Sequence, residues 1–127
     1  MCVLISDEVT TPEWRSSVSR WLVEAGCLYF LALGEGCEDW HDHVDEELLE
    51  KHDYKDIPDA EFIMTTWHDD EPLSEVFWFA AHAAHHDIAH FQEVLLLDVT
   101  KDQRREEMLK QYRNAAPDLG SSDKNAC

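Results

Sequence analysis

The sequence is short of basic residues and has no long apolar segment. Only 10 lysines and arginines accompany 28 aspartates and glutamates among 127 residues, which gives a net charge of −18. A surface this negative repels phosphate backbones and anionic lipids, so it argues against direct binding of nucleic acid or of a membrane. No apolar run approaches the ~20 residues that a membrane span needs. Hydrophobic residues nevertheless make up 44% of the chain, which argues against a disordered acidic polymer and predicts a packed core.

Several catalytic and binding motifs are also missing. The four cysteines form no CxxC pair, and no Gly-x-Ser-x-Gly nucleophile turn occurs. Gly34-Glu35-Gly36 is only a fragment of the dinucleotide-binding GxGxxG pattern, and the neighbouring acids would repel a pyrophosphate. Met1 to Ile5 is followed at once by Ser-Asp-Glu rather than by the rest of a signal peptide. We therefore expect a cytoplasmic protein, and the sequence favours a non-catalytic role without a cofactor.

Four short apolar runs predict strands. Each is nearly continuous in hydrophobicity, which is typical of strands buried on both faces of a parallel sheet. Their starts are separated by 25, 35 and 32 residues, about the length of a strand with its crossover helix. The runs cover residues 2–5, 27–33, 62–67 and 94–97.

The first two intervening segments predict helices with one apolar side each. Thr10 or Thr11 is expected to cap the first helix, which has Pro12 near its start and ends at Gly26. The second helix, over residues 38–52, has a narrow apolar stripe on an otherwise acidic surface. The predicted apolar side of the first helix comprises Trp14, Val18, Trp21, Leu22 and Ala25, and that of the second comprises Trp40, Val44 and Leu48.

Two further helices are predicted after the third and fourth strands. Ser74 is expected to cap the third helix, which buries a broad side formed by Val76, Phe77, Ala80, Ala81 and Ala84. The fourth opens with the capping-box pattern of residues 100–103 and runs to about Asn114, with Met108, Leu109 and Tyr112 as its packing residues.

The alternation of strands and helices predicts a single three-layer α/β domain. We expect a four-stranded, mostly parallel sheet with helices on both faces, in the doubly wound order 2-1-3-4. The domain is expected to cover residues 1–116, and residues 117–127 to form a flexible polar tail.

Most of the negative charge belongs to one third of the chain. Residues 35–75 contain 16 acids against Lys51 and Lys55, a net charge of −14. Self-repulsion of this kind costs stability, so the concentration of charge suggests a use, and steering toward a basic partner is the plainest one. Tryptophan and tyrosine near the acids are residue types that anchor interfaces. The candidate partner-binding residues are Glu38, Trp40, Asp42, Asp45, Glu46, Glu50, Asp53 and Tyr54.

The same region offers an alternative, a metal site. In the order 2-1-3-4 the loops after the first and third strands meet where the strand order reverses, and the loop after the second lies beside them. Carboxylates there suit Mg²⁺, whereas a thiol with imidazoles suits Zn²⁺. The Mg²⁺ candidates are Asp7, Glu8, Asp69 and Asp70; the Zn²⁺ candidates are Cys37, His41, His43 and His68.

Histidines recur in the predicted third helix. His82, His86 and His90 are four residues apart and would share one helix face, with His85 beside them. A pair at this spacing is competent to bind a metal, but a partly exposed stripe opposite the packing side is the simpler interpretation.

The sequence thus favours an acidic, non-catalytic protein that binds and inhibits a basic protein, such as a toxin or nuclease domain. In having an acidic helix on a small parallel α/β domain, the chain is similar to the small acidic nuclease inhibitors, and this likeness implies a role of the immunity-protein or antitoxin type. The alternative is a small metal-dependent enzyme or metal-binding domain that uses Zn²⁺ or Mg²⁺. A third hypothesis is a structural or regulatory subunit whose acidity only maintains solubility.

Overall fold

Strands and helices alternate along the whole described part of the chain. The computed structural model describes residues 1–8, 10–89, 91, 93–100 and 104–115. The strands are β1 (Cys2–Ser6), β2 (Tyr29–Gly34), β3 (Met64–His68) and β4 (Leu95–Asp98). The helices are α1 (Pro12–Glu24), α2 (Cys37–Lys51), α3 (Leu73–His82) and α4 (Arg105–Ala115), and a single 3₁₀ turn covers Asp59–Glu61. The predicted α/β fold is confirmed.

All strand pairs are parallel, and the order is β3-β2-β1-β4. The predicted order 2-1-3-4 is therefore wrong, because β2 lies inside the sheet and β3 forms an edge. The exposures agree with this order: Phe30, Leu31 and Ala32 of β2 have no exposed surface, whereas Met64 and Trp67 of β3 are 37% and 44% exposed. The strand order reverses between β1 and β4, two strands away from β3.

The sheet separates two apolar clusters. On one face, Cys2, Leu4 and Phe30 pack with residues of α1 and α2. On the other, Val3, Leu31 and Leu33 pack with residues of α3 and α4. Helices thus cover both faces, as the sequence predicts, because consecutive residues of a buried strand point to opposite sides.

Helix α1 begins as predicted, and the side that it buries matches the predicted one only in part: Leu22 is buried and Val18 packs against the core, but the two tryptophans are exposed. Thr11 is the N-cap and its hydroxyl accepts the Trp14 N–H, with Pro12 at the first helical position. The buried residues are Arg15, Ser19, Leu22 and Val23. Trp14 and Trp21, predicted to be packing residues, are 44% and 53% exposed. Arg15 can be buried because its guanidinium donates to the Thr10 carbonyl and to His43 Nδ1.

Helix α3 is shorter than predicted, and Ser74 does not cap it. Pro72 occupies the N-cap position, and the helix ends at His82. Val76, Phe77 and Ala80 are buried as predicted, whereas Ala81 and Ala84 are only partly buried. The predicted histidine stripe does not exist on a helix, since His85 and His86 follow the last turn; His90 lies outside the described residues.

Helix α4 ends close to the predicted position and buries Met108. Leu109 and Tyr112 are partly buried, and the Tyr112 ring lies 5.4 Å from that of Phe77. The capping box predicted for residues 100–103 and the tail predicted for residues 117–127 fall outside the described residues, except for Thr100. Within the part of the chain that the structure describes, no helix has the length and apolarity to cross a membrane.

Candidate functional site: the acidic face of α2

Helix α2 buries one narrow stripe, and most of the side chains on the rest of its surface are carboxylates. Its buried residues are Cys37, Trp40, Val44 and Leu48, at the three- and four-residue spacing of a single helix face. The predicted apolar stripe is therefore confirmed. We define the acidic face as the exposed or half-exposed residues Glu38, Asp42, Asp45, Glu46, Glu50 and Asp53.

The end of α2 places a tyrosine on the acidic face. The Asp53 N–H donates to the Glu50 carbonyl and the Tyr54 N–H to the Leu49 carbonyl, the two bonds of a Schellman motif. Asp53 and Tyr54 both have positive φ, 54° and 58°, in a region that bulky residues seldom occupy. This turn brings the Tyr54 hydroxyl to 2.6 Å from Glu46 Oε1, to which it donates. Tyr54 is 61% exposed, so an aromatic ring stands in solvent among the carboxylates.

The carboxylates around Tyr54 make its phenol group less acidic. The hydrogen bond to Glu46, together with slight desolvation and the charges of Glu46, Glu50 and Glu47, raises the pKa of Tyr54 to about 12. Each of these carboxylates opposes a second negative charge on the phenol oxygen. The phenol therefore stays protonated and serves as a hydrogen-bond donor at neutral pH.

On one side the acidic face joins the edge strand β3. The Thr65 hydroxyl donates to Asp45 Oδ1 at 2.8 Å. The His41 ring lies 4.5 Å from the ring of Trp67, and its two nitrogens approach Asp42 at 3.0 Å and Asp45 at 3.5 Å. Trp67 is 44% exposed. It therefore offers an aromatic surface beside the carboxylates.

On the opposite side α2 packs against α1, and its charges there are paired. Arg20 Nε lies 3.1 Å from Glu47 Oε1, and Arg15 Nε donates to His43 Nδ1 at 3.2 Å. Glu47 is largely covered, with 11% of its side chain exposed. The unbalanced negative charge of α2 thus points outward and toward β3.

Trp40 is not available to a partner. It is 1% exposed and belongs to the core between α2 and the sheet, with its ring 5.5 Å from that of Trp14. Its prediction as a partner-binding residue is not supported, because it occupies the buried stripe of α2 together with Val44 and Leu48. The other predicted partner-binding residues, Glu38, Asp42, Asp45, Glu46, Glu50, Asp53 and Tyr54, all reach solvent.

The start of α2 extends the negative surface to the carboxyl edge of the sheet. An open depression of ≈ 300 Å³ is lined by Glu35, Gly36, Cys37, Glu38, Asp39 and Asp69. Burial raises the pKa of the Cys37 thiol, and the charge of Asp69 raises it further. Cys37 is only 2% exposed. It therefore remains a neutral, buried thiol rather than a reactive thiolate.

The residues predicted as metal ligands are dispersed. Asp7 and Glu8 follow β1, and β2 separates them from Asp69 and Asp70, which follow β3; neighbouring parallel strands are about 4.8 Å apart. Among the described residues, no three His, Cys, Asp or Glu side chains form a group that could hold a metal ion. The switch point assumed for the metal site was wrong, so nothing in the strand arrangement gathers these ligands.

His41 and His68 lie on opposite faces of the sheet. His41 contacts Trp67, while His68, the next residue of β3, points the other way. There His68 Nδ1 lies 3.0 Å from Glu71 Oε2 and Nε2 lies 3.1 Å from Thr66 Oγ1, with the ring 5.2 Å from that of Phe79. Both nitrogens of His68 have protein partners, which fixes its ring beneath the loop after β3.

Apart from Tyr54, the exposed aromatic and apolar residues are the features that the sequence interpretation missed. Of the 5 tryptophans, only Trp40 is buried. Phe62 and Met64 are 43% and 37% exposed on the approach to β3 and at its first residue. One signal was present in the sequence: the polar pair Thr65-Thr66 interrupts the third apolar run, which fits a partly exposed edge better than a buried strand.

Comparison with known proteins identifies a family without assigning an activity. Neither the curated proteins nor the solved structures include a match to this chain. The model of one family, described as a domain of unknown function (DUF7684), matches residues 1–115. This range includes all four strands, all four helices and the acidic face. The chain belongs to the DUF7684 family.

Proposed function

We propose that this protein is a non-catalytic inhibitor that binds a strongly basic protein through the acidic face of α2. One observation carries the proposal: α2 keeps its apolar stripe in the core and, apart from the partly exposed Leu49, presents mainly carboxylates to solvent, with Tyr54 and Trp67 beside them. A partner of the toxin or nuclease type fits this surface, because such enzymes bind phosphates with basic residues that a carboxylate array can occupy. The role corresponds to that of an immunity protein or antitoxin in the cytoplasm.

The arrangement of charge supports fast association. Complementary fields raise association rate constants to about 10⁸–10⁹ M⁻¹s⁻¹ at low salt, compared with about 10⁵–10⁶ M⁻¹s⁻¹ for neutral surfaces. The acidic face is preorganised for this purpose, since Thr65 holds Asp45 and Tyr54 holds Glu46. Tyr54 and Trp67 supply the aromatic area that anchors many interfaces. Their exposure in the free protein is accounted for if a partner covers them.

The metal-dependent alternative has less support. It needs ligands from β1, β2 and β3 to converge, and β2 stands between the two carboxylate pairs. Cys37 is buried, and His41 and His68 already bond other side chains on opposite faces of the sheet. No observation in the described residues favours this alternative over the acidic binding surface.

The experiment compares two triple charge reversals. The first variant carries Glu38→Lys, Asp42→Lys and Glu50→Lys on the acidic face, and the control carries Glu75→Lys, Asp87→Lys and Glu93→Lys at exposed sites elsewhere. Asp45 and Glu46 are left unchanged because their hydrogen bonds organise the surface. A basic protein captured on the immobilised chain from cells that contain it is identified and purified, and its association is measured between 50 and 500 mM NaCl.

We expect the first variant to associate at least tenfold more slowly and to lose most of its salt dependence, because steering depends on local charge. The control variant, with the same net charge, is expected to retain most of the wild-type rate. Equal effects of the two variants would show that only the overall charge matters, and unchanged kinetics in the first variant would remove the acidic face from the interaction.

A further inference from the structure

Within the described residues, strand β3 has one edge that no other strand pairs with. It pairs with β2 and ends the sheet on that side. The Met64 N–H donates to the Leu28 carbonyl, so Met64, Thr66 and His68 direct their backbone groups toward β2. By the alternation of a parallel ladder, the backbone N–H and C=O groups of Thr65 and Trp67 point away from the sheet. No segment within the described ranges pairs with them.

Several of the usual protections of an open edge are missing from β3. Natural edge strands carry lysine, proline or a bulge that prevents another strand from pairing. Residues 62–68 contain no lysine, arginine or proline, and Phe62, Met64 and Trp67 expose 43%, 37% and 44% of their surfaces. The edge therefore offers both backbone hydrogen bonds and apolar contacts to an incoming chain.

Acidic residues surround this edge. Asp59 and Glu61 precede β3 and Asp69, Asp70 and Glu71 follow it, all of them exposed. The acidic face lies alongside β3, where Asp45 Oδ1 accepts a hydrogen bond from the Thr65 hydroxyl at 2.8 Å. A second copy of this chain would bring the same charges together, so the edge is unsuited to self-association at low salt.

The opposite edge differs in charge. Leu95 of β4 is also exposed, at 46%, but there it lines a groove with Arg105 of α4. Arg104 and Lys110 belong to the same segment. A basic ligand is therefore matched to β3 and not to β4.

We propose that the basic partner docks an extended, lysine- or arginine-rich segment along β3 as a fifth strand of the sheet. Its backbone pairs with Thr65 and Trp67. Its basic side chains lie on the face of Trp67 and α2, where they meet the carboxylates, and its apolar side chains lie on the other face of the sheet, beside Met64. This is strand addition, in which the backbone supplies affinity and alternate side chains supply specificity. The inference rests on the proposed function, and it names the edge of β3 as the contact next to the acidic face.

The probe is a blocked eight-residue peptide in which lysine and valine alternate. The control peptide has the same sequence with every backbone amide methylated. It keeps the charge, but it cannot pair as a strand because it has no backbone N–H groups to donate. Binding of both to the full chain is measured by fluorescence and by amide hydrogen exchange. We expect the methylated peptide to bind at least tenfold more weakly, and the unmodified peptide to protect the amides of Thr65 and Trp67.

Two proline variants provide a matched comparison. Thr65→Pro removes an outward N–H from β3, a change that edge strands tolerate. It also removes the hydroxyl bond to Asp45, so Thr65→Val, which loses that bond but keeps the N–H, is its control and should retain peptide binding. Leu96→Pro removes an outward N–H from β4, because the inward Leu95 N–H bonds the Met1 carbonyl. Thr65→Pro is expected to weaken peptide binding at least tenfold, whereas Leu96→Pro is expected to change it less than twofold. The two peptides are compared on the wild-type chain as well, so the test does not depend on either variant folding.

Other outcomes distinguish the two proposals. Equal binding of the two peptides would overturn strand addition but leave charge-driven binding by the acidic face intact. Binding of the captured basic protein without binding of either peptide would have the same meaning. Protection of Thr65 and Trp67 without peptide, with a doubled mass in sedimentation, would assign the edge to a second copy and overturn the inference.

Discussion

At Gly34 the end of β2 passes so close to β1 that a side chain has no room. A Cβ atom at this position would lie 1.9 Å from the Ser6 carbonyl oxygen, and the backbone has a φ of +94°. The neighbouring Glu35 N–H donates to the same oxygen at 3.1 Å. This close approach holds the loop that leads into α2, and with it the start of the acidic face.

We therefore expect Gly34→Ala to destabilise the protein by more than about 3 kcal/mol, because a backbone clash is added to the strain of positive φ. Gly26→Ala is the matched control: Gly26 has a φ of +84° but nothing within 4 Å of its Cβ position. Gly26→Ala should therefore lower the stability of the protein only by the strain of the positive φ, about 1–2 kcal/mol. Urea denaturation measures both, and equal losses would show that the contact with Ser6 is unimportant.

The Asp98 carboxylate forms hydrogen bonds with the segment between β4 and α4. One carboxylate oxygen accepts the Thr100 N–H at 3.0 Å and the Thr100 hydroxyl, and the other accepts the Arg104 N–H at 3.1 Å. Partial burial favours the neutral acid, but the hydrogen bonds from Thr100 and Arg104 and the charge of Arg104 outweigh it. The pKa of Asp98 is therefore lowered from its usual 3.8.

This lowered pKa predicts a pH-dependent contribution to stability. Because the folded state binds the Asp98 proton less tightly than the unfolded state, the contribution is present above pH 3.8 and is lost as the pH falls through the lowered value. Asp98→Asn should cost about 1–2 kcal/mol at pH 7, and the difference from wild type should narrow below pH 3.8. Urea titrations at several pH values measure it. Asp87→Asn, with a side chain 93% exposed in the wild type, serves as control, and a difference that stays constant down to pH 2 would contradict the argument.

Among the elements, α3 shows how a buried side chain can end a helix. No glycine or proline occurs between Ala80 and Phe91, so the periodic pattern predicts a helix through this segment. Instead the chain leaves the helix after His82, and His86 becomes 4% exposed. Its Nε2 donates to the Phe62 carbonyl at 2.7 Å, while Nδ1 accepts the N–H groups of Ile88 and Ala89, each at 3.1 Å.

His86→Ala is expected to destabilise the protein by about 1–3 kcal/mol, because the Phe62 carbonyl and two N–H groups lose their partner. Phe62 lies just before β3, so hydrogen exchange in residues 62–64 should accelerate as well. His85→Ala is the matched control, since the His85 side chain is 79% exposed, and it should change stability by less than about 0.5 kcal/mol. If both variants unfold at the same urea concentration, the bonds of His86 do not hold this segment.

Helices α1 and α2 differ in how far their sequences predict them. In α2, Trp40, Val44 and Leu48 form one unambiguous stripe among charged residues, and the structure buries that stripe. In α1, two tryptophans make the wrong side look apolar. The helix packs through Leu22, as predicted, but also through Val23 and the small Ser19, which the predicted side did not include. Periodicity identifies both helices. Which side of α1 is buried, however, depends on the element that α1 packs against, and that element is α2.

At the scale of the whole molecule, the net charge of −18 bears on stability as well as on the proposed recognition of a basic partner. Most of the 16 acids of residues 35–75 lie along α2, in the loops after it and at the two ends of β3; Glu35 precedes α2 and Glu75 belongs to α3. Only some are paired within the described residues, as Glu47 is with Arg20. Repulsion among the rest destabilises the compact state and is weakened by salt.

We therefore expect sodium chloride to stabilise the protein. Raising it from 10 to 500 mM should add about 1 kcal/mol of stability, or roughly 4 °C in Tm for a domain of this size. A variant with Glu38→Gln, Asp42→Asn and Glu50→Gln should have a higher Tm than wild type at 10 mM and a smaller response to salt. Thermal melts followed by circular dichroism test this, and a Tm that is constant or falls with salt would contradict it.

The sequence alone determined the element order, the parallel α/β architecture and the position of the acidic helix. These follow from local signals: continuous apolar runs for buried strands, Thr11-Pro12 at a helix start, and a three- and four-residue stripe in α2. Each of these signals involves residues only a few positions apart, so it can be recognised from the sequence itself. The concentration of acids in residues 35–75 was equally visible.

Only the tertiary structure decided which strands are neighbours and which side chains face solvent. The order β3-β2-β1-β4 places β3 at an edge and separates the residues after β1 from those after β3, which disperses the predicted metal ligands. It also exposes Trp67 beside Asp45 while burying Trp40. The physical reason is that a strand or helix is amphipathic only with respect to the partners it packs against, and those partners are brought together by contacts between distant parts of the chain.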